Sequence, residues 1–179
     1  MTDRRALSGT VVRLVADDDR EWVRRFLHER WGSAEMAVHG TVHRPAELPG
    51  FVAVREGEPL ALLTYEEADA GCEIVGLDSL RPGRGVGSAL LGRAEATARR
   101  AGRRRLWLVT TNDHLTALRF YQKRGFVLVA LDRDAVTRAR RLKLEIPLVG
   151  DDGIPLRDEL DLETTRSATL GPHAREDHR

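Results

Sequence analysis

A single cysteine, Cys72, stands in 179 residues. One thiol closes no internal disulfide and builds no cysteine metal cluster, which removes secreted disulfide scaffolds and zinc ribbons from consideration. No stretch approaches the roughly 18 apolar residues of a membrane span, and residues 1–14 lack the apolar core of a signal peptide. A cytoplasmic protein with no membrane partner is therefore expected. There is also no surplus of charge: 29 basic residues face 28 acidic ones, for a net charge of +1. The field of the whole molecule gives no reason to expect nucleic acid as the main partner, so any anion site must be local. Lysine is nearly missing, with only Lys123 and Lys143 among the basic residues; no function follows from that skew.

What is present suits one globular domain, with 41% hydrophobic and 32% charged residues. Residues 10–15 are β-branched and apolar, and Asp17, Asp18 and Asp19 offer N-caps for a helix through about Arg30. From Trp31 to Pro49 the pattern loses its period, which predicts turns and irregular structure. The runs Phe51 to Arg55 and Leu60 to Tyr65 predict a hairpin with a four-residue connection, and Cys72 to Leu80 a further strand. Val86, Leu90, Ala94, Ala98 and Ala101 recur at helical spacing up to Gly102.

The unbroken run Leu106 to Val109 predicts a strand covered on both faces. A helix over His114 to Arg124, stopped by Gly125, and a strand over Phe126 to Leu131 follow. Strands alternating with helices over 72–131 imply right-handed crossovers and neighbouring parallel strands. The polar segment from Asp132 to Pro155, with a short helix over Asp134 to Arg141, is long enough to serve as a substrate lid. A last strand runs through Leu156 and Leu162, and residues 164–179 read as a polar, flexible tail behind a single domain of residues 1–163.

The segment Arg81, Pro82, Gly83, Arg84, Gly85, Val86, Gly87, Ser88 lies between a predicted strand and a helix start, where free amides and the helix dipole favour a pyrophosphate. It is not a P-loop, because no Lys followed by Ser or Thr closes it, and Leu90 stands where a dinucleotide fingerprint needs its third glycine. A tight turn whose glycines merely satisfy positive φ is the alternative.

This segment resembles the coenzyme-A loop of the GNAT N-acetyltransferase superfamily, in which Gln or Arg, two residues, Gly, any residue, and Gly or Ala follow one another. Gly85 and Gly87 match the two small positions; the leading Gln or Arg falls on Pro82, with Arg81 and Arg84 beside it. A second match is Ala117, Leu118, Arg119, Phe120, Tyr121, Gln122, Lys123, Arg124, Gly125, Phe126, against a family pattern of Ala, three residues, Tyr, a charged pair and Gly-Phe. The family's coenzyme-touching Asn, seven residues before that Tyr, is His114 here, preceded by Asn112 and Asp113. His114 either supplies the same hydrogen bond or is a solvated first-turn histidine.

The resemblance implies an α/β fold of the GNAT type, a mixed sheet whose parallel strands splay at the coenzyme site between flanking helices. It implies direct acetyl transfer from acetyl-CoA to a primary amine, without a metal and without a covalent enzyme intermediate. The coenzyme contacts would be Leu77, Asp78, Ser79, Arg84, Gly85, Val86, Gly87, Ser88 and His114. Tyr121 would be the general acid at the coenzyme sulfur, or else a core aromatic. Glu73 would be the general base, since partial desolvation raises a carboxylate toward working pH; Asp78 is its competitor.

The other readings are a coenzyme-binding module without catalysis and a nucleic-acid binder that uses Arg99, Arg100, Arg103, Arg104 and Arg105. Cys72 suits inert packing better than nucleophilic attack. His39 and His43 stand four apart, but Gly40, Thr41 and Val42 argue against the helix that would bring them to one metal. The acceptor is expected between roughly 22–49 and 133–155, with Trp22, Trp31, Glu35, His39 and His43 as candidate liners. The resemblance leaves a homodimer open.

Overall fold

The computed structural model describes residues 9–69 and 71–165. The first strand, β1 (Thr10–Leu14), leads through a 3-10 turn at Asp17–Asp19 into α1 (Arg20–Trp31). Asp19 precedes α1 but its side chain caps no helix amide, contrary to expectation; it accepts the Ala16 amide at 2.7 Å and pairs with Arg13 at 2.5 Å, which fixes the turn before the helix. A short hairpin of β2 (Met36–Val38) and β3 (Thr41–His43) then occupies the stretch expected to be irregular. Its strands are three residues long, too short for a readable alternation, and it turns on a non-glycine left-handed residue, His39 at φ 48.

β4 (Gly50–Arg55) and β5 (Glu58–Ala68) form the expected hairpin, but with two residues in the turn instead of four. Glu56 and Gly57 both take positive φ, 54 and 86, and the ladder closes directly at Arg55 and Glu58. Two positive φ values in succession give the turn whose twist matches that of the strands. β6 (Gly71–Ser79), α2 (Val86–Arg100), β7 (Arg105–Thr111), α3 (Leu115–Gln122), β8 (Val127–Asp132), α4 (Ala135–Ala139) and β9 (Glu159–Thr165) complete the chain. The expected tail overlaps β9 at 164 and 165, and its remainder, 166–179, lies outside the described residues.

The main sheet has seven strands in the order β1, β4, β5, β6, β7, β9, β8. It is antiparallel except for β6 beside β7. The expected run of neighbouring parallel strands therefore stops after one pair, because β9 returns from the end of the chain and inserts between β7 and β8. β8 becomes an edge strand, and Val127, Leu128, Val129 and Leu131 are exposed on it. β7 likewise alternates between buried and half-buried residues and is not covered equally on both faces.

On one face the stripe Val86, Leu90, Leu91, Ala94 and Ala98 of α2 packs with Phe51, Leu63, Ile74, Leu108 and Leu162 into the larger core. Gly102 ends α2 at φ 74, with Arg103 N donating to Ala98 O at 2.8 Å and Gly102 N to Arg99 O at 3.0 Å, the paired bonds that close a left-handed helix terminus. The other face carries α1, whose Val23, Phe26 and Leu27 cover Leu62 in a smaller core, and the β2–β3 hairpin. Cys72 is buried, and desolvation pushes its thiol up to about 12, which makes it packing and not a nucleophile.

Trp31 lies across Gly76 of β6, where an added Cβ would sit 2.4 Å from the indole. Replacing Gly76 by Ala should therefore displace the end of α1 and lower the unfolding free energy by about 1–3 kcal/mol, as overpacking does, read by urea denaturation with a shifted tryptophan emission in the folded state.

Candidate functional site

The site begins with an irregularity in β6. Thr64 pairs with Gly76 but Tyr65 pairs with Ile74, so Val75 is an extra residue in β6. Such a bulge bends its strand and increases its twist. On its other side β6 pairs with β7 only from Cys72 to Ile74, opposite Leu106 to Leu108. Beyond the bulge the two parallel strands part, leaving residues 75–79 of β6 and 109–111 of β7 with free facing edges. A crevice at the carboxyl ends of parallel strands is the usual ligand position in such sheets.

The chain leaves β6 through the glycine loop and enters α2 at the same end of the sheet. Gly83 and Gly85 take φ 83 and 75, conformations that cost a residue with a Cβ about 1–2 kcal/mol. Gly87 matters for a different reason, since a Cβ there would lie 3.3 Å from the Phe120 ring; its absence lets α3 approach the first turn of α2. The amides of Val86, Gly87 and Ser88 open the 15-residue helix and have no acceptor within it, which leaves them and the positive end of the dipole for an anion. Arg81 and Arg84 are exposed beside them.

Arg124, one of the charged pair in the second motif, completes this corner, a role the motif did not assign to it. Its Nε donates to Ser88 Oγ at 3.1 Å and its Nη2 to the same oxygen, while Nη1 donates to Phe120 O at 2.7 Å. The guanidinium also lies 3.6 Å from the Phe120 ring centroid. One cation thus ties the end of α3 to the first turn of α2. The sequence signal was its place just past a helix end, where cations suit the dipole.

Tyr121 is held by the same helix end. Phe126 N donates to Tyr121 O at 3.2 Å and Gly125 N to Gln122 O at 3.1 Å, with Gly125 at φ 87. The rings of Phe126 and Phe120 meet Tyr121 edge-on at 5.4 and 5.1 Å. This accounts for the Tyr and Gly-Phe spacing: the glycine reverses the chain and the phenylalanine returns onto the tyrosine. Burial holds the Tyr121 hydroxyl well above its ordinary pKa, against the opposing charge of Arg124, so it stays protonated across the neutral range.

The other predicted residues separate. Leu77 packs against the larger core. Asp78 forms a bidentate pair with Arg30 at 2.8 and 3.0 Å and accepts the Ser79 amide at 2.6 Å. Its oxygens are committed to holding α1 against β6, and Ser79 N is directed to that carboxylate. Ser79 Oγ in turn accepts the Arg81 amide at 3.2 Å. His114 is exposed at the start of α3, and its ring has no hydrogen bond among the described residues.

Glu73 projects from the sheet face opposite α2, beside Glu66 and Trp107 on the adjacent strands. Burial raises its pKa, with His43, Glu66, His39 and Asp161 as the charges around it. His39 bonds Asp161 at 2.9 Å and Glu159 at 3.2 Å, and His43 pairs with Glu66 at 3.4 Å. The two histidines therefore stand on the hairpin, each matched to acids of the sheet. Donor atoms of His39, Asp132 and Glu159 come within 4.8 Å of one another, the arrangement closest to a metal set among the described residues. Contacts of His39 with Glu159 and Asp161 already satisfy its ring.

A cleft of about 360 Å³ opens between the hairpin and α4, lined by His39, Gly40, Asp132, Ala135, Arg138 and Leu142. The two segments expected to flank an acceptor thus meet. Of the other candidate liners, Trp22 meets Phe26 in a tilted ring contact at 4.9 Å beside the smaller core, and Glu35 pairs with Arg44 at 3.2 Å. Within the arginine run, Arg99, Arg100 and Arg104 are exposed, while the other two are tied to the sheet. Arg105 pairs with Glu163 at 2.5 Å and lies over Trp107, and Arg103 donates to Asp69 O.

A model of the acetyltransferase (GNAT) family matches residues 14–126, and the chain belongs to that family. It is 46% identical over 136 residues to the uncharacterized protein YdhI of Bacillus subtilis, across 75% of this chain and 85% of that protein. It is 40% identical over 142 residues to YxbD of the same organism, also uncharacterized, across 79% of this chain and 89% of that protein. Among solved structures, an IAA acetyltransferase from Bacillus cereus aligns with a TM-score of 0.67 at 22% identity, over 88% of this chain and 99% of its own. A GNAT acetyltransferase from Elizabethkingia anophelis with acetyl-CoA bound gives 0.63 at 15%, over 88% and 99%. At these identities the likeness is one of fold.

The raised carboxyl of Glu73 has a consequence for stability. The folded state binds that proton more tightly than the unfolded chain does, so the group favours folding below its unfolded pKa and loses that contribution as pH rises through the folded value. Glu73→Gln should therefore raise Tm relative to the parent at pH 8, with the difference shrinking toward pH 4, in thermal scans across that range.

Proposed function

We propose that the protein transfers the acetyl group of acetyl-CoA directly to the amine of a protonated, cationic acceptor. The observation that carries this reading is the parting of β6 from β7 at the open amides of α2, with Tyr121 locked on the neighbouring helix. The amides of Val86, Gly87 and Ser88, with Gly85, Arg84 and the Arg124 corner, suit a diphosphate. The free edge at Leu77, whose amide points away from β5, offers a backbone donor to a thioester carbonyl, and His114 borders the same end of the crevice.

In this reading Glu73, directly or through a water, removes the ammonium proton, and the amine lone pair forms the new C–N bond at the thioester carbon. The strand amide stabilises the oxyanion. Its collapse breaks the C–S bond, Tyr121 gives its proton to the departing thiolate, and the second proton shed by the acylated nitrogen returns to the Tyr121 phenolate. A raised Glu73 pKa makes a stronger base, and burial keeps the Tyr121 proton in place until the thiolate develops. The acids Glu66, Glu159 and Asp161 on the acceptor face favour a cation, and the cleft between hairpin and α4 gives it room.

Acetyl-CoA at about 100 times its Kd should stabilise the fold by about 2.7 kcal/mol, read as a rise in Tm; the absence of any shift would remove the coenzyme from this account. With an amine panel and a free-thiol readout, Tyr121→Phe should lower kcat by about 10²–10⁴-fold, the range for a lost general acid, with coenzyme affinity nearly unchanged. Glu73→Gln should abolish the acidic limb of kcat/KM, a limb that lies above the ordinary carboxylate range, whereas Asp78→Asn should retain it. Arg124→Ala should weaken coenzyme binding by about tenfold, the scale of a charge-assisted hydrogen bond, in the same thermal titration.

A further inference from the structure

The segment after α4 is long, and one amide side chain holds its last residues. Asn112, the residue that follows β7, accepts the amides of Arg157 at 2.9 Å and Asp158 at 2.8 Å on one oxygen, Oδ1. Its Nδ2 donates to Pro155 O at 2.9 Å, and its own amide donates to Asp158 O at 3.1 Å. The next residue extends the grip: the buried Asp113 accepts the Asp151 amide at 2.9 Å. Gly150 lies so close that a Cβ there would fall 1.8 Å from the Asp113 carboxylate.

The stretch held in this way holds α4 in turn. Val136 N donates to Arg157 O at 2.9 Å, Asp134 N to Asp158 Oδ1 at 2.8 Å, and Arg140 Nη2 to Leu156 O at 2.6 Å. Ala135, Arg138 and Ala139 of α4 form one wall of the cleft facing His39. In the other direction, Asn112 directly continues the free edge of β7 at 109–111 and lies two residues before His114.

We propose that Asn112 is a positioning residue that joins the coenzyme crevice to the acceptor wall, so that filling the crevice orders residues 134–158. The inference rests on the acetyltransferase reading above. Its physical basis is that one amide side chain satisfies two donors and one acceptor of a segment with no ladder of its own. A ligand that stills the end of β7 therefore stills the backbone hung from it.

Hydrogen exchange on the full chain, with and without acetyl-CoA, tests this. In the parent protein the coenzyme should slow exchange in the first turn of α2 and, by about tenfold, at Val136, Arg157 and Asp158. In Asn112→Ala the α2 protection should persist while the effect at 134–158 disappears. Asn112→Asp keeps both accepting contacts but sets a carboxylate oxygen against Pro155 O in place of the donor, so it should restore only part of the coenzyme effect at Arg157 and Asp158; that partial loss also carries the comparison if the alanine form does not fold. Protection confined to α2 in the parent, or an undiminished response at 134–158 in Asn112→Ala, would overturn the coupling and leave the acetyltransferase reading intact. No protection of α2 in the parent would instead defeat that reading.

Discussion

One additional residue in a strand sets the architecture of this molecule. With Val75 inserted opposite the Thr64 and Tyr65 step, β6 keeps its ladder to β5 but cannot stay within hydrogen-bonding distance of β7 beyond Ile74. A regular strand would have paired along its length and closed the crevice. The bulge therefore exchanges a few ladder bonds for two unpaired backbone edges, and those edges give an extended, amide-bearing ligand something to bind. The turn at Gly83 and Gly85, the start of α2 and the approach of α3 are all arranged around that opening.

The two helices beside the opening behave as one rigid piece. Gly87 admits Phe120, Arg124 binds Ser88 and Phe120 together, and the chain reversal at Gly125 returns Phe126 onto Tyr121. Placing a phenol this way uses packing and backbone closure, so the hydroxyl needs no side-chain partner to be aimed. The opposite sheet face follows a different principle. There Glu66, Glu73, Glu159 and Asp161 crowd around two histidines of a short hairpin, and the acids are only partly compensated. Desolvation among like charges raises Glu73, which is the electrostatic condition a base requires.

The elements legible in the sequence were those with their own punctuation. The stripe Val86, Leu90, Ala94 and Ala98 before Gly102 predicted α2, and Tyr121 with Gly125 and Phe126 predicted the end of α3, because local helix chemistry alone fixes both. The β2–β3 hairpin was hidden by three-residue strands and by a turn at His39 where a glycine would be expected. The order of β7, β9 and β8 was also out of reach: whether two strands are neighbours is decided by a third that arrives almost thirty residues later. Of the candidate site residues, the glycine loop and Tyr121 lay inside recognisable patterns, and Glu73 was named from its placement at the start of its strand. Asn112 and Arg124 act through groups 36 to 46 positions away or across a helix end, and spacing along the chain carries no trace of that.

The insertion of β9 has a cost at the border of the sheet. It leaves β8 outermost, an apolar segment with one row of amides and carbonyls unclaimed by any neighbouring strand among the described residues, which is the type of template on which heated or crowded chains add to one another. That strand is itself irregular: Val129 is an extra residue between Leu128 and Ala130 in its pairing with β9. The kink breaks the straight run that an incoming chain would have to match, so the same kind of defect that opens the sheet at its centre shields it from uncontrolled growth at its rim.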